Sequence, residues 1–142
     1  MSNIDTQVLT SDEVVEMCIS EADSDFYSEK YHCAEAVLAA IRKHFSPETP
    51  EAVIKFVSGL GHGSGAGCVC GAVSSGTIAL GMTLPEDKER VVRLSGELHD
   101  WFKKTHKVTC CKVLLDKKTK LCPVSPGAVA GKVAEMLLTD KE

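Results

Sequence analysis

The sequence predicts an all-α protein, a single compact domain of about six to seven helices with a glycine-rich loop that carries cysteines. Three observations predict it. Apolar residues recur at helical spacing through most of the chain, and helix-start patterns stand in front of several of those stretches. No run of alternating β-branched residues reads convincingly as a strand. The chain of 142 residues has the length of one ordinary domain, enough to bury a core without disulfide staples. Residues 1–142 are therefore read as one unit, without repeat, long linker or low-complexity tail.

Thr10 and Glu13 have capping-box spacing, and Val14, Val15, Cys18, Ile19 and Ala22 form an apolar stripe behind them. The second helix carries Cys33, Ala34, Val37, Leu38, Ile41 and Phe45 on one face, with Glu35, Arg42 and Lys43 mostly opposite. Ser46-Pro47 ends it. A short third helix is expected to begin at Thr49 as N-cap with Pro50 as its first residue, carrying Val53, Ile54, Phe56 and Val57. It runs into the glycine loop, residues 59–71. Ala72 to Met82 is apolar and small, and its length with its Ala, Ser and Gly content favours a closely packed helix over a strand. Thr83-Leu84-Pro85-Glu86 has the capping pattern for a long helix to about Thr105, with Val91, Leu94, Leu98, Trp101 and Phe102 inward. Cys110 to Leu115 is a brief apolar segment, and Asp116-Lys117-Lys118-Thr119-Lys120 looks exposed. Ser125-Pro126 opens the last helix, with Val129, Val133, Met136 and Leu137 inside.

Composition narrows the function. Hydrophobic residues make up 44% and charged residues 25%, as in soluble globular proteins. With a formal net charge of −4 and lysines that read as scattered, nucleic-acid binding is not expected. No signal segment is visible at the N-terminus, and no run approaches the roughly 18 apolar residues of a membrane span, so no membrane insertion is expected. A cytoplasmic location follows as the default. Thiols there are kept reduced, so the seven cysteines read as metal-binding, catalytic or buried.

Cys68 and Cys70 form a C-x-C pair inside the glycine-dense stretch, and Cys111 and Cys122 follow downstream. A glycine loop running into a helix presents backbone N–H groups and the positive end of the helix dipole, both of which favour a thiolate. Gly67 and Gly71 flank the pair where the backbone would approach a cofactor. Of the adjacent Cys110 and Cys111, which point about 100° apart on a helix, Cys111 shares inward spacing with Leu114 and Leu115. Cys33 and Cys18 lie on apolar stripes and read as core. His62, in the loop, is a candidate ligand or proton donor, while His32, His44, His99 and His106 have no partner suggested by spacing. The chain has no C-x-x-C-H haem-attachment site and no credible nucleotide loop.

These motifs resemble the C-GCAxxG-C-C family, small proteins to which redox activity is ascribed. The resemblance rests on Cys33-Ala34-Glu35-Ala36-Val37-Leu38, Cys70-Gly71-Ala72-Val73-Ser74-Ser75-Gly76, Cys111-Lys112-Val113-Leu114-Leu115 and Cys122, over roughly Tyr31 to Leu138. It departs from the signature at Ser75, where glycine is expected. It implies that Cys33, Cys70, Cys111 and Cys122 form one constellation, which moves Cys33 out of the core. The extra Cys68 is similar to a branch related to the non-haem part of split-Soret cytochromes. That likeness implies an iron–sulfur cluster, held by a set drawn from Cys33, Cys68, Cys70, Cys111 and Cys122. The missing haem-attachment motif argues against c-type haem, and a structural zinc site on the same thiolates is a subsidiary expectation.

Three functions follow as expectations. The first is a thiolate-bound iron–sulfur or other metal site for electron transfer, serving a redox partner the sequence does not name. The second is a metal-free thiol–disulfide protein with Cys70 as nucleophile. The third is a non-catalytic helical partner-binding module.

Overall fold

The computed structural model describes residues 9–115, 118–119 and 122–140. Among these are seven α-helices: α1 (Ser11–Tyr27), α2 (Cys33–Phe45), α3 (Val53–Phe56), α4 (Gly71–Thr83), α5 (Lys88–His106), α6 (Cys111–Leu114) and α7 (Pro126–Thr139). No strand occurs among the described residues. A lone antiparallel bridge pairs Val69 with Cys110. The fold is all-α, as the apolar periodicity predicts.

Local chemistry sets the helix ends. Thr10 Oγ1 accepts the Glu13 N–H at 3.1 Å, and the Glu13 carboxylate accepts the Thr10 N–H at 2.8 Å, a complete capping box. Ser125 caps α7 by accepting from Ala128 N–H at 2.9 Å, with Pro126 in the first turn. Asp23 on α1 also accepts from Gly127 N–H at 2.8 Å and from the Ser125 hydroxyl at 2.9 Å. A carboxylate from one helix thus completes the N-terminus of another.

Two expected starts fall elsewhere. The long helix begins not behind Thr83 but at Lys88, where Asp87 accepts from Arg90 N–H at 3.1 Å. Thr83 is the last residue of α4, and its hydroxyl donates to Ala79 O at 2.9 Å. The third helix begins at Val53 rather than Pro50, because the Thr49 hydroxyl lies 2.5 Å from that of Ser46 inside the preceding turn. Phe56, expected to help carry that helix, is 81% exposed, while Ile54 and Val57 are buried.

Helix α2 is central, packing on α1, α4 and α7, while α5 lies on the far side of α4 and α1 lies along α7. The core between them includes Leu38, Ile41, Leu80, Leu94, Leu98, Phe102, Val129 and Val133, all fully buried. Burying each such side chain contributes about 1.5–3 kcal/mol. The approach of α7 to α1 is so close that a Cβ on Gly131 would stand 2.5 Å from Ile19 Cγ1. Ser75, fully buried, donates to Ala34 O at 2.6 Å and so ties α4 to α2. Packing of α2 against α4 brings the starts of both helices, and the cysteines there, to the same end of the molecule. Among the described residues, no helix is long and apolar enough to cross a membrane.

Candidate cysteine site

The glycine loop takes an uncommon backbone path. His62, Gly63, Ser64 and Gly65 have φ of 57°, 64°, 62° and 71°, and Gly67 follows at 72°. Four successive left-handed residues make one left-handed turn, which costs an L-residue such as His62 or Ser64 roughly 1–2 kcal/mol each. The turn is closed by the Cys68 N–H donating to Gly63 O at 3.0 Å. Gly63 is indispensable there, because a Cβ would lie 2.5 Å from Cys68 N and 2.8 Å from Cys111 Cβ.

Beyond the turn, residues 68–70 run antiparallel to 109–111. The Cys70 N–H donates to Thr109 O at 2.7 Å, and the Cys111 N–H donates to Cys68 O. This clamp fixes the start of α4 beside the start of α6. Cys33 opens α2, Cys70 is the N-cap of α4, and Cys111 opens α6. Three thiols from distant parts of the chain therefore sit at three helix starts. Cys33 Sγ lies 3.2 Å from where a Cβ on Gly71 would stand, so the sulfur reaches the residue next to Cys70.

The electrostatics mark out the same group. Burial pushes the Cys33 thiol up to about 12, and the charges of Cys70, Cys122 and Cys111 add to the rise. Cys70 is raised by burial first, then by Cys122 and Cys111, against the lowering effect of the Val73 and Ala72 amides. Those amides face the sulfur, although neither makes a regular capping hydrogen bond to it. Cys111 is raised by burial, then by Cys122 and Cys110. The charges of Cys111 and Cys122 thus act on both Cys33 and Cys70, and that of Cys70 acts on Cys33.

Cys70 and Cys111 are buried, Cys33 is half-buried and Cys122 is exposed. Cys68 stands apart from the four. It is exposed, and its thiol turns back toward Ala66 O at 3.9 Å. Cys110, half-buried, donates to Gly67 O at 3.2 Å, and Cys18 is enclosed in the core between helices. Gly67 packs under the Lys112 side chain, and Gly71 packs under Leu60 O, so both approach protein atoms. His62 is exposed.

His32 is a neighbour that helical spacing did not single out. It is the N-cap of α2, its ring lies against Gly61, and its Nε2 is 3.4 Å from Glu35 Oε1. Its Nδ1 is buried without a partner. The detectable signal was the N-cap-to-Glu35 spacing, which matches a capping box with histidine at its head.

Donor type and number suit a thiolate-bound metal, since four cysteines can hold a [2Fe–2S] or [4Fe–4S] cluster. Among the described residues, however, no three of His, Cys, Asp and Glu already stand as a ligand set. A cleft of about 360 Å³ lies elsewhere, lined by Glu21, Asp25, Lys30, Tyr31, Arg42 and Glu51 among others. Its charges are partly satisfied internally, with Glu21 paired to His44 at 3.1 Å and Arg42 donating to Thr49 O at 2.7 Å.

Among known proteins, the family model described as "Putative redox-active protein (C_GCAxxG_C_C)" matches residues 31–136. No curated protein and no solved structure matches the chain.

Proposed function

The chain belongs to the C_GCAxxG_C_C family, and on that premise we propose that Cys33, Cys70, Cys111 and Cys122 form one redox centre that holds a thiolate-bound metal, iron–sulfur before zinc. The observation that carries this reading is the gathering of three thiols at three helix starts, with the fourth inside their electrostatic reach. At the starts of α2 and α4, backbone amides (Ala34 at Cys33, Val73 and Ala72 at Cys70) favour the thiolate. Cys70 and Cys111 supply buried donors, and exposed Cys122 would close the set from the solvent side. A bound cluster would supply one-electron chemistry. The chain's own residues shield the sulfurs from water, fix their spacing through the 68–70 and 109–111 clamp, and hold Cys33 against Gly71.

A second reading is favoured by one specific contact. Cys70 is the first-ranked charge acting on Cys33, whose sulfur lies against Gly71. Oxidation of that pair would form one S–S bond, release two protons and pass two electrons to a disulfide-class acceptor.

Protein purified without oxygen is expected to contain stoichiometric iron and acid-labile sulfide with a visible charge-transfer spectrum, and Cys70→Ser is expected to lower both. A colourless, metal-free protein that is demonstrably folded would refute the metal reading. A loss of two free thiols on mild oxidation of that protein would then establish the dithiol.

A further inference from the structure

The cysteine site lies beside a lysine-rich stretch of the chain. Residues 56–85, which include the glycine loop and α4, contain no Asp, Glu, Lys or Arg. Residues 101–115 contain Lys103, Lys104, Lys107 and Lys112 and no carboxylate, in a chain whose formal net charge is −4. Lysines that look scattered along the sequence are thus concentrated where the fold brings 107–112 against 67–70.

One of them packs on the site directly, and a second lies beside it along the chain. Lys112 lies over Gly67, its Cβ 3.0 Å from where a Cβ on that glycine would stand. Lys107 stands two residues before Thr109, whose carbonyl receives the Cys70 N–H. Both are exposed, and among the described residues no ion pair engages either. Between them the surface is apolar: Val69 is 42% exposed and Val113 is 64% exposed. Val69 pairs with Cys110, and Val113 follows Cys111 by two residues, so both lie directly outside the buried thiols. The nearby carboxylate of Glu35, at the start of α2, is engaged by His32.

An apolar centre with a one-signed charged rim is the composition of a steered, transient protein interface. We propose that Val69, Val113 and exposed Cys68, rimmed by Lys107 and Lys112, form the docking surface for an acidic protein that is the partner of the cysteine centre. The docking itself rests on charge and exposure; only the partner's relation to the thiols rests on the redox reading. Charge complementarity selects an acidic partner, because Lys107 and Lys112 stand exposed beside this apolar patch in a chain whose formal net charge is −4.

The test is hydrogen–deuterium exchange read by mass spectrometry on the full chain as isolated, titrated with a synthetic glutamate-rich peptide containing two leucines, and in parallel with a short DNA duplex. The expected result is that the peptide protects amides within 67–70 and 107–113. Its affinity should fall by at least about tenfold between about 20 mM and about 200 mM salt, as screening requires. Lys107→Glu with Lys112→Glu should remove the protection while helical circular dichroism is retained; because Lys107 caps the C-terminus of α5, a modest loss of thermal stability accompanies it. Peptide binding at another face, no binding at low salt, or binding indifferent to the double substitution would overturn the proposal. Tighter binding of the duplex than of the peptide would overturn the protein class of partner. The readout needs neither metal nor thiol chemistry, so a failed redox reading would show in the metal and thiol assays and leave this result standing.

Discussion

Replacing Gly63 by alanine probes the left-handed turn at its tightest point. Gly63 has φ of +64°, and a Cβ there would meet Cys68 N at 2.5 Å, Cys68 O at 2.8 Å and Cys111 Cβ at 2.8 Å. Two of those atoms are backbone inside the clamp that positions Cys70 and Cys111, so they cannot rotate away. Gly65 is the internal control, with φ of +71° and nothing within 4 Å of its Cβ position. Both substitutions carry the left-handed cost of roughly 1–2 kcal/mol. Both recover about 0.4–1 kcal/mol through a stiffer unfolded chain. These contributions cancel between the two, leaving the collision, about 1–3 kcal/mol by comparison with overpacked cores. Urea unfolding followed by circular dichroism should therefore show Gly63→Ala less stable than Gly65→Ala by that margin. Against a total stability of about 5–15 kcal/mol, the difference is easily resolved. Equal losses within about 0.5 kcal/mol would refute the packing of the turn against Cys111.

Other consequences follow from single contacts. Asp23→Ala should destabilise the fold by about 1–2 kcal/mol, because it strips the carboxylate that serves Gly127 N–H and Ser125 at the start of α7; thermal unfolding measures it. Ser75→Ala should cost about 1 kcal/mol by removing the buried bond to Ala34 O. Burial first, then Glu21, pushes the Cys18 thiol up to about 12 from 9.0. Its contribution is fully present below pH 9 and is lost as pH rises toward 12, at a limiting slope of about 1.4 kcal/mol per pH unit. Cys18→Ala should flatten the alkaline stability profile by that amount, and an unchanged profile would contradict the burial. Brief alkylation of the reduced, metal-free protein should label exposed Cys68 and Cys122 before buried Cys18 and Cys70, a ranking that peptide mass spectrometry reads directly.

The sequence carried the helices whose start signals are local. Thr10 with Glu13, and Ser125 with Pro126, act through the nearest backbone amides, so their spacing alone is sufficient. The start of α5 was less legible because two residues competed for one role. Thr83 has the right spacing to Glu86, but it is already used by α4, and Asp87 takes the cap. Cys33 shows the limit of periodicity. Its spacing places it on the apolar stripe of α2, yet as the first residue of that helix it looks past the core toward Cys70. The ordered set of cysteines, a pattern longer than any helix, was what pointed to it. The two cysteines of the C-x-C pair part company in the fold. Two residues apart, Cys68 ends the left-handed turn facing solvent while Cys70 enters the helix start and is buried. The lysines of 101–115 are legible in the sequence, but their approach to the glycine loop is not, since it depends on the 68–70 and 109–111 pairing that sets Lys112 over Gly67.

Burial and helix ends act on these thiols in opposite directions, and their relative sizes bear on which chemistry the centre suits. A helix start is worth about 0.3–1 kcal/mol to an anion at an exposed site. For Cys33 the net rise from 9.0 to about 12 corresponds to roughly 4 kcal/mol against the thiolate, so burial wins. At Cys70 the amides of Val73 and Ala72 again oppose burial without overcoming it. A freely attacking thiolate needs the reverse balance, with a lowered pKa and open access, and Cys70 has neither. A cation changes the terms, because coordination deprotonates a thiol outright and relieves the repulsion that neighbouring thiolates add at Cys33 and Cys70. The burial that disfavours an isolated thiolate then keeps water and competing ligands from a bound metal. Helix starts that are too weak to ionise the sulfurs alone remain well placed to stabilise the negative charge such a centre would carry.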